Sequence, residues 1–488
     1  MVSACEVKIE AQELRPSNIF TSLDTIRGKV YVNVRSEISL SCIQIKLEGI
    51  SQSIIREKHL VKRKEKEIAK LESHRLLYET RTIFPPKNVR QVSSAKEFTL
   101  TPGEYEYDFE FKLPLESSCG SNNAPTNGIT NKFQVVRRNS DQLNSNNSAH
   151  FRGPLPPSLS DLGELGQINY FLKVTVKRTS IIKPNIRKFS PFRFIPFDSL
   201  EHLNSSSREL NFIRKEQVFK DKIPEIIAII DKPQRPYSGQ GYQTPPSPQR
   251  RSSSFLKTLF FGSSDDISQS STSIPQPPPT PPKNEPPTIT AYDVPFFFEA
   301  RFNGLFQTVG KSPTYKLYVL SKANPKKYIG MNGESSGLGA VYLKNLKIEL
   351  FIVTNVVSQE FKRQDYKVIT LCQLSVSGKL DLAYARKSKA INEQTGSALH
   401  ELEIPTSLYS NAVIPYSLVP NFKTCNMERK YKLKITAGFA ETKDSKKIKE
   451  VSIDTWIDLI GGIPPPMASE SIPARANLPT YADATGYR

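Results

Sequence analysis

The amino-acid sequence predicts an all-β protein with two tandem antiparallel β-sandwich domains of the immunoglobulin-like kind, joined by a linker and carrying a disordered insertion and tail. Apolar and polar residues alternate with period 2 in segments along the whole 488-residue chain, a pattern typical of half-buried strands. Turns rich in Pro, Gly, Ser and Asn separate these segments. Because the pattern holds few long helical stretches, it favours antiparallel sandwiches over a parallel α/β sheet.

The clearest strand is the segment 104–112, EYEYDFEFK, which places four aromatic side chains on one face and charged side chains on the other. Segments 43–48 and 346–352 alternate in the same way. Segment 60–78 is rich in Lys and Glu and has few apolar anchors, so we expect a helical excursion there, and a second helix within 208–230.

Composition sets the expected domain limits. We predict a first sandwich at 1–232, a linker at 233–292, a second sandwich at 293–465 and a tail at 466–488. The Asn- and Ser-rich segment at about 117–153 and the Pro- and Ser-rich linker have too little apolar surface to offset the entropy of ordering. We therefore expect both segments, and the tail, to be disordered.

An internal echo links the two halves of the chain. Residues 170–175, YFLKVT, and residues 431–436, YKLKIT, share the pattern Y-x-L-K-[VI]-T, and each follows a turn that contains proline. The echo predicts two related domains.

Charge and hydropathy narrow the class of partner. The net charge is +19, so some surface attracts nucleic acid, anionic lipid headgroups, or acidic and phosphorylated protein tails. Stretches of about 20 apolar residues, which a spanning helix requires, do not occur in the sequence, and the N-terminus lacks the pattern of a secretory signal. We expect a cytoplasmic protein.

The most basic segment, 173–193, contains seven cations and no acidic residue. We interpret it as a surface for acidic cargo tails, phosphate groups or anionic lipid, with a solvated strand face as the alternative. The cations are Lys173, Lys177, Arg178, Lys183, Arg187, Lys188 and Arg193. Three phenylalanines, Phe189, Phe192 and Phe194, are interleaved, and core anchoring is favoured over membrane contact or base stacking.

Catalytic patterns are weak. The string 333–337, GESSG, satisfies G-x-S-x-G, but a strand-like run follows where a nucleophile elbow needs a helix. The histidines and cysteines lie far apart in the sequence, without the spacing of a zinc motif. They are His59, His74, His150, His202, His400, Cys5, Cys42, Cys119, Cys372 and Cys425. We therefore expect no enzyme activity, no catalytic residue, no metal and no cofactor.

Several blocks in order resemble the fungal α-arrestins, the arrestin-related trafficking adaptors. In the first half these are FTLTPGEY at 98–105 leading to Leu113-Pro114, and LPPS at 155–158 followed by INYFLKV at 168–174. In the second half, segments 414–422 and 425–433 are similar to the arrestin C-domain. The resemblance covers about 5–230 and 293–465. It implies two arrestin-like sandwiches side by side that bind through surfaces and loops.

The tail contains an L-P-x-Y sequence, a variant of the P-P-x-Y peptide that WW domains bind. It consists of Leu478, Pro479, Thr480 and Tyr481. A proline-containing stretch is biased to extended geometry and loses little entropy on binding. By contrast, Tyr315, in the similar string 313–315, runs into an expected strand and is interpreted as a core residue.

In the α-arrestin family, such a motif recruits a WW-domain HECT ubiquitin ligase to plasma-membrane transporters or receptors, whose cytosolic tails are the cargo. The resemblance implies ubiquitination, endocytosis and sorting of that cargo, with transient location at the plasma membrane and endosomes. The alternative is an arrestin-fold cargo-sorting scaffold that needs no ligase. A basic nucleic-acid-binding β protein is a distant third hypothesis, because no recognition motif accompanies the charge, and we expect no nucleic acid partner.

Serines next to paired arginines are candidate phosphosites. Ser140 follows Arg137-Arg138, and Ser252, Ser253 and Ser254 follow Arg250-Arg251. A phosphate there adds about two negative charges to a basic segment, so we expect it to regulate binding.

Overall fold

The computed structural model describes residues 4–15, 18–61, 64–92, 94–119, 150–180, 182–198, 210–224, 290–391 and 396–465. Strands dominate these residues and form four sheets, which confirms the all-β fold class and the two tandem sandwiches. Throughout the described ranges, no helix has the length and apolar character needed to cross a bilayer. The α-helix α1 (Lys87–Val92) has six residues.

The first sandwich pairs a small sheet with a large one. The small sheet contains, in spatial order, β1 (Cys5–Ala11), β3 (Thr25–Val34) and β7 (Gly103–Lys112). The large sheet contains, in spatial order, β2 (Ile19–Phe20), β9 (Ile186–Phe194), β8 (Gly166–Arg178), β4 (Ile38–Val61) and β5 (Lys64–Phe84). A short strand, β6 (Phe98–Leu100), pairs with β4. Strand β7 is the aromatic strand that alternation predicts.

The second sandwich repeats this plan. One sheet contains, in spatial order, β10 (Leu210–Lys222), β11 (Tyr292–Asn303), β13 (Lys316–Ser321), β17 (Ala398–Glu403) and β16 (Arg386–Ile391). The other contains β12 (Phe306–Thr308), β20 (Lys449–Ile460), β19 (Met427–Ala440), β14 (Ala340–Ser358) and β15 (Phe361–Asp381), with β18 (Phe422–Lys423) on β19.

The Y-x-L-K-[VI]-T echo occupies equivalent places in the two large sheets. Strand β8 lies between β9 and β4, and strand β19 lies between β20 and β14. The Tyr170 hydroxyl donates to the Pro156 carbonyl at 2.7 Å, and the Tyr431 hydroxyl donates to the Val419 carbonyl at 2.6 Å. Each tyrosine thus ties its strand to the preceding proline-containing turn, so the two halves repeat in structure as well as in sequence.

Both helix predictions were wrong. The charged segment 60–78 lies in a long antiparallel hairpin of β4 and β5, paired from Ile43 with Phe84 to Val61 with Lys64. Segment 208–230 contains β10, which pairs antiparallel with β11. In both cases strand pairing, which satisfies backbone groups across a neighbouring strand, prevails over the local helix propensity of Lys and Glu.

The division between the domains falls earlier than the predicted boundary at 232. Strand β10 pairs with β11 along its length, so it belongs to the second sandwich. The first sandwich ends with β9 and the short segment after it. Of the predicted linker only residues 290–292 are described, and the predicted tail lies wholly outside the described residues.

Two large apolar clusters form the cores, and they differ in whether their residues come from one sandwich or from both. The second core contains only residues of the second sandwich, from Phe219 to Leu459. The first core contains residues of the first sandwich together with four from the second, Val356, Val419, Phe422 and Met427. The first core is therefore completed by the second domain.

Candidate functional site

The outer face of the first sandwich's large sheet carries a row of cations. Lys46 of β4 lies opposite Lys173 of β8 in the ladder, and Lys173 lies opposite Phe189 of β9. Thr175 and Arg187 form the next pair along the hairpin. Because side chains alternate between the two faces of a strand, Lys177 and Arg193 share this outer face. We call Lys46, Lys173, Lys177, Arg187 and Arg193 the basic face.

Packing within the basic face is close enough to affect ionisation. Lys173 is 9% exposed, its ammonium lies 3.8 Å from the Glu48 carboxylate, and it sits over the Phe189 ring. Burial lowers the pKa of Lys173, and the charges of Arg187 and Lys46 lower it further, against the opposing effect of Glu48. Lys173 is therefore mostly hidden from solvent, and the other four cations carry most of the positive charge of the basic face.

The seven predicted cations do not form one surface. Lys173, Lys177, Arg187 and Arg193 lie on the basic face, although Lys173 is buried. Arg178 lies at the end of β8 on the opposite face and acts electrostatically on Cys5. Lys183, in the turn between β8 and β9, and Lys188, opposite Val174 in the ladder, are exposed. Lys46 was not among the cations predicted from the sequence, because it comes from a different strand, β4.

The interleaved phenylalanines divide between core and surface. Phe192 and Phe194 are buried, and both rings pack against Tyr170. Phe189 is 50% exposed on the basic face. Core anchoring therefore holds for two of the three.

The P-x-Y string at 313–315 and the G-x-S-x-G string at 333–337 both have structural roles. Tyr315 is 2% exposed and stacks on Tyr409, as expected of a core residue, and burial raises the pKa of its hydroxyl. In the G-x-S-x-G string, the Ser335 hydroxyl donates to Asp381 at 2.7 Å. Strand β14 follows this loop, so the string lacks the helix that a nucleophile elbow requires.

The WW-ligand motif, Leu478 to Tyr481, lies outside the described residues, and so do the candidate phosphosites Ser140, Ser252, Ser253 and Ser254. They stay predictions from the sequence.

A buried polar interface joins the two sandwiches. The Ser51 hydroxyl donates to the Asn426 side-chain oxygen at 2.7 Å, and the Asn426 amide donates to Ser53 at 3.0 Å. Arg429 donates two hydrogen bonds, each 2.9 Å long, to the Asp161 carboxylate. Because buried polar groups are costly unless they are hydrogen-bonded, these bonds fix how the domains dock.

Beside this interface, two cysteines and two histidines converge. His74 comes from β5, Cys119 follows β7, His150 lies shortly before β8, and Cys425 lies between β18 and β19. Their ligand atoms all lie within 4.8 Å of one another. We call these residues the Cys/His cluster.

From the sequence we expected the histidines and cysteines to be isolated, and the structure brings four of them together. Separations of 45, 31 and 275 residues divide consecutive members, so no motif spacing could have revealed the cluster. The only hint in the sequence was the supply of cysteines and histidines.

The protonation of the cluster is uneven. The hydrogen bond with Cys119 lowers the pKa of the Cys425 thiol, and His74 lowers it further despite burial. The pKa of the Cys119 thiol is raised by the same hydrogen bond and by burial. Burial opposes the charged form of His74, but hydrogen bonds to Cys425 and Glu72 raise its pKa overall. The cluster therefore favours a thiolate at Cys425.

Comparison with known proteins matches this architecture. Residues 5–197 match the family described as "Arrestin (or S-antigen), N-terminal domain". The chain is also 22% identical to a Saccharomyces cerevisiae protein named "Arrestin-related trafficking adapter 10" over 516 aligned residues, covering 95% of this chain and 96% of that protein. These matches confirm the predicted resemblance to the fungal α-arrestins.

Two further relatives carry the same name. A Lachancea thermotolerans protein is 28% identical to this chain over 241 residues, which cover 42% of this chain and about half, 51%, of that protein. A Candida glabrata protein is 30% identical over 111 residues, covering 21% of this chain and 22% of that protein.

Proposed function

We propose that this protein is an arrestin-related adaptor that recruits a WW-domain HECT ubiquitin ligase to plasma-membrane transporters or receptors. Recruitment promotes ubiquitination, endocytosis and sorting of the cargo. The supporting observation is the similarity along 95% of the chain to a protein named as an arrestin-related trafficking adapter. The proposal assigns no catalytic residue to the chain, because the ligase supplies the chemistry.

The tail contributes the ligase contact in this proposal. Pro479 packs between the aromatic rings of a WW domain, and Tyr481 fills the neighbouring groove. A short motif of this kind works when it is accessible, and it follows the three consecutive prolines 464–466 in a tail rich in small residues. The protein acts in the cytoplasm and is transiently peripheral at the plasma membrane and endosomes.

The basic face contributes the cargo contact. Its cations come from three neighbouring strands of a rigid sheet, so their spacing is set by the ladder and not by a loop. An acidic cytosolic tail lying across the sheet meets several cations at once. Each contact is screened over about 8–10 Å at physiological salt. The same face attracts anionic lipid headgroups.

Phosphorylation adds regulation in this proposal. A phosphate on Ser140 or on Ser252 to Ser254 introduces about two negative charges that compete with cargo for the basic face. The chain then binds acidic cargo more weakly until the phosphate is removed.

Binding to a purified array of WW domains tests the ligase contact. The full chain is compared with the double variant Pro479→Ala/Tyr481→Ala, and with the matched control Pro473→Ala/Tyr487→Ala, which removes one proline and one tyrosine of the same tail. We expect the first variant alone to lose binding. If the Pro479→Ala/Tyr481→Ala variant still binds the WW domains, or if the wild type does not bind them, the ligase-independent scaffold would be favoured.

Charge reversal tests the basic region. Lys177→Glu/Arg187→Glu, within the basic face, is compared with Lys215→Glu/Lys220→Glu, an equal charge change on β10 of the second sandwich. The probes are an acidic peptide and vesicles with and without phosphatidylserine. We expect the first variant to bind the acidic peptide at least several-fold more weakly than the control. Equal binding by both would show that net charge, and not the basic face, attracts the peptide.

A further inference from the structure

We propose that the Cys/His cluster, formed by His74, Cys119, His150 and Cys425, binds a zinc ion that clamps the two sandwiches together. Three of its members belong to the first sandwich and Cys425 belongs to the second. The set offers two sulfur and two nitrogen ligands, which is one of the common donor sets of structural zinc sites.

The spacing of the ligand atoms fits a tetrahedral ion. Zinc bonds of about 2.3 Å to sulfur and about 2.0–2.1 Å to nitrogen give tetrahedral edges of roughly 3.8 Å between sulfurs and roughly 3.6 Å between sulfur and nitrogen. The Cys119 and Cys425 sulfurs are 3.6 Å apart. Cys119 Sγ lies 3.6 Å from His74 Nδ1 and 3.5 Å from His150 Nδ1, and Cys425 Sγ lies 3.7 Å from His150 Nδ1.

The contacts around the cluster orient its ligands. His74 Nε2 lies 2.6 Å from a Glu72 carboxylate oxygen, so Nε2 keeps its proton, while Nδ1 faces the cluster and would bind zinc in its deprotonated form. A carboxylate behind a histidine ligand is the usual arrangement at zinc sites. The Phe151 amide donates to Cys425 Sγ at 3.3 Å, which stabilises a thiolate.

Backbone pairing delivers Cys119 and His150 to the same place. The Ser118 amide donates to the Leu76 carbonyl of β5 at 2.8 Å, and the Ser117 amide donates to the Gly153 carbonyl at 2.8 Å. Residues 117–119 and 150–153 therefore lie side by side next to β5, close to His74. This convergence is built by the fold and does not depend on the sulfur contacts.

The donor set selects zinc. Two thiolates and two neutral imidazoles balance the charge of a divalent ion, and four protein ligands close a tetrahedral site without an open position for water. Tetrahedral S₂N₂ coordination distinguishes zinc from the all-oxygen sites of Mg²⁺ and Ca²⁺. The ion is structural in this proposal.

The ion reinforces a junction that already has polar contacts. Glu72, behind His74, accepts a hydrogen bond from the Gln359 amide of the second sandwich, and Lys423 lies over the Phe151 ring. Zinc binding at Cys425 thus adds a strong link across the same boundary.

Metal analysis of the full chain tests the site. The protein is purified without a histidine tag or chelator, and zinc is measured by mass spectrometry. We expect about one zinc per chain, lost in Cys425→Ser and in His150→Gln but retained in the matched controls Cys42→Ser and His400→Gln. His150 is exposed, so its variant should fold even if a cysteine variant does not. Substitution with Co²⁺ should give the visible bands of a tetrahedral thiolate site.

Thiol accessibility gives a second measurement. Cys119 is 5% exposed, and we expect chelation of zinc from the wild-type chain to increase its alkylation rate at least several-fold. The proposal fails if purified protein contains no zinc and takes up no Co²⁺, if the cluster variants keep the zinc of the controls, or if Cys119 and Cys425 are found joined as a disulfide in protein from a reducing cytoplasm.

Discussion

Arg429 is a cation buried at the junction of the two sandwiches, with 1% of its side chain exposed. It donates two hydrogen bonds to Asp161 and one, at 2.9 Å, to the Thr354 hydroxyl. The geometry of a guanidinium matches a carboxylate in this two-bonded form. Such a buried charge is tolerated only while its partner remains.

Removing that partner should be costly. In Asp161→Asn the shape is kept but Arg429 loses its counter-charge, and we expect a loss of about 3 kcal/mol of unfolding free energy, at the lower end for broken buried pairs because Asp161 is 42% exposed. Urea unfolding of the full chain measures the change. The control Asp454→Asn breaks the exposed pair with Lys432 and should cost less than about 1 kcal/mol. Similar losses in the two variants would contradict this account.

Single residues were predictable where burial follows from strand alternation. Tyr315 was expected in the core and lies there. Arg429 and the Cys/His cluster were not predictable, because their partners are distant in the sequence and meet only through the docking of the domains. A pattern of spacing carries no information about such contacts.

At the scale of the elements, Tyr170 of β8 and Tyr431 of β19 each join a large sheet to a turn by a hydrogen bond. Both are fully buried, and burial raises the pKa of Tyr431 to about 12 and that of Tyr170 as well. Their hydroxyls therefore stay protonated and act as hydrogen-bond donors. Each satisfies a turn carbonyl that would otherwise be buried without a partner.

We expect Tyr170→Phe and Tyr431→Phe each to reduce the unfolding free energy by about 1–3 kcal/mol, the usual cost of leaving a buried polar group unsatisfied. Thermal unfolding measures the effect. Tyr416→Phe is the matched control, since Tyr416 is 73% exposed and its bond to the Gly310 carbonyl is 3.3 Å long. Unchanged stability in the two core variants would show that the turns do not depend on these bonds.

Elements were predictable where one face of a strand is apolar, as in β7. They were not predictable at 60–78, where Lys and Glu are frequent, period-2 alternation of apolar residues is weak, and the local sequence favours a helix. Pairing with β4 over many residues decides the outcome there. The assignment of β10 to the second sandwich also depends on a partner, β11, that follows a long intervening segment.

At the scale of the whole molecule, the net charge of +19 should dominate encounter with acidic partners. We expect the affinity for an acidic peptide to fall at least several-fold between about 50 and 200 mM salt, since exposed charges are screened beyond roughly a Debye length. Titration calorimetry at several salt concentrations measures this. Binding to the WW array, which rests on proline and tyrosine packing, should change little over the same range, and an equally steep fall would argue that it too is driven by charge.

The unequal cores give a second prediction for the whole chain. A fragment of residues 210–465 contains every member of its own core and should unfold cooperatively. A fragment of residues 1–209 lacks Val356, Val419, Phe422 and Met427, so it should expose an apolar patch and bind a hydrophobic dye. Circular dichroism and dye fluorescence distinguish the two. A first-domain fragment that is as stable as the second would contradict this reading.

The four residues that the second domain adds to the first core also determine when that core can be completed during translation. The first sandwich emerges early, yet the residues that close its core are translated roughly 230 positions later, which at about 5–20 residues per second is a delay on the order of tens of seconds. During that interval the apolar surface of the first sandwich stays exposed, because the residues that cover it have not been synthesised. We expect nascent chains of this protein to remain bound to chaperones until Met427 has left the exit tunnel, and release before that point, in a ribosome-profiling experiment on chaperone-bound chains, would show that the first sandwich closes without help.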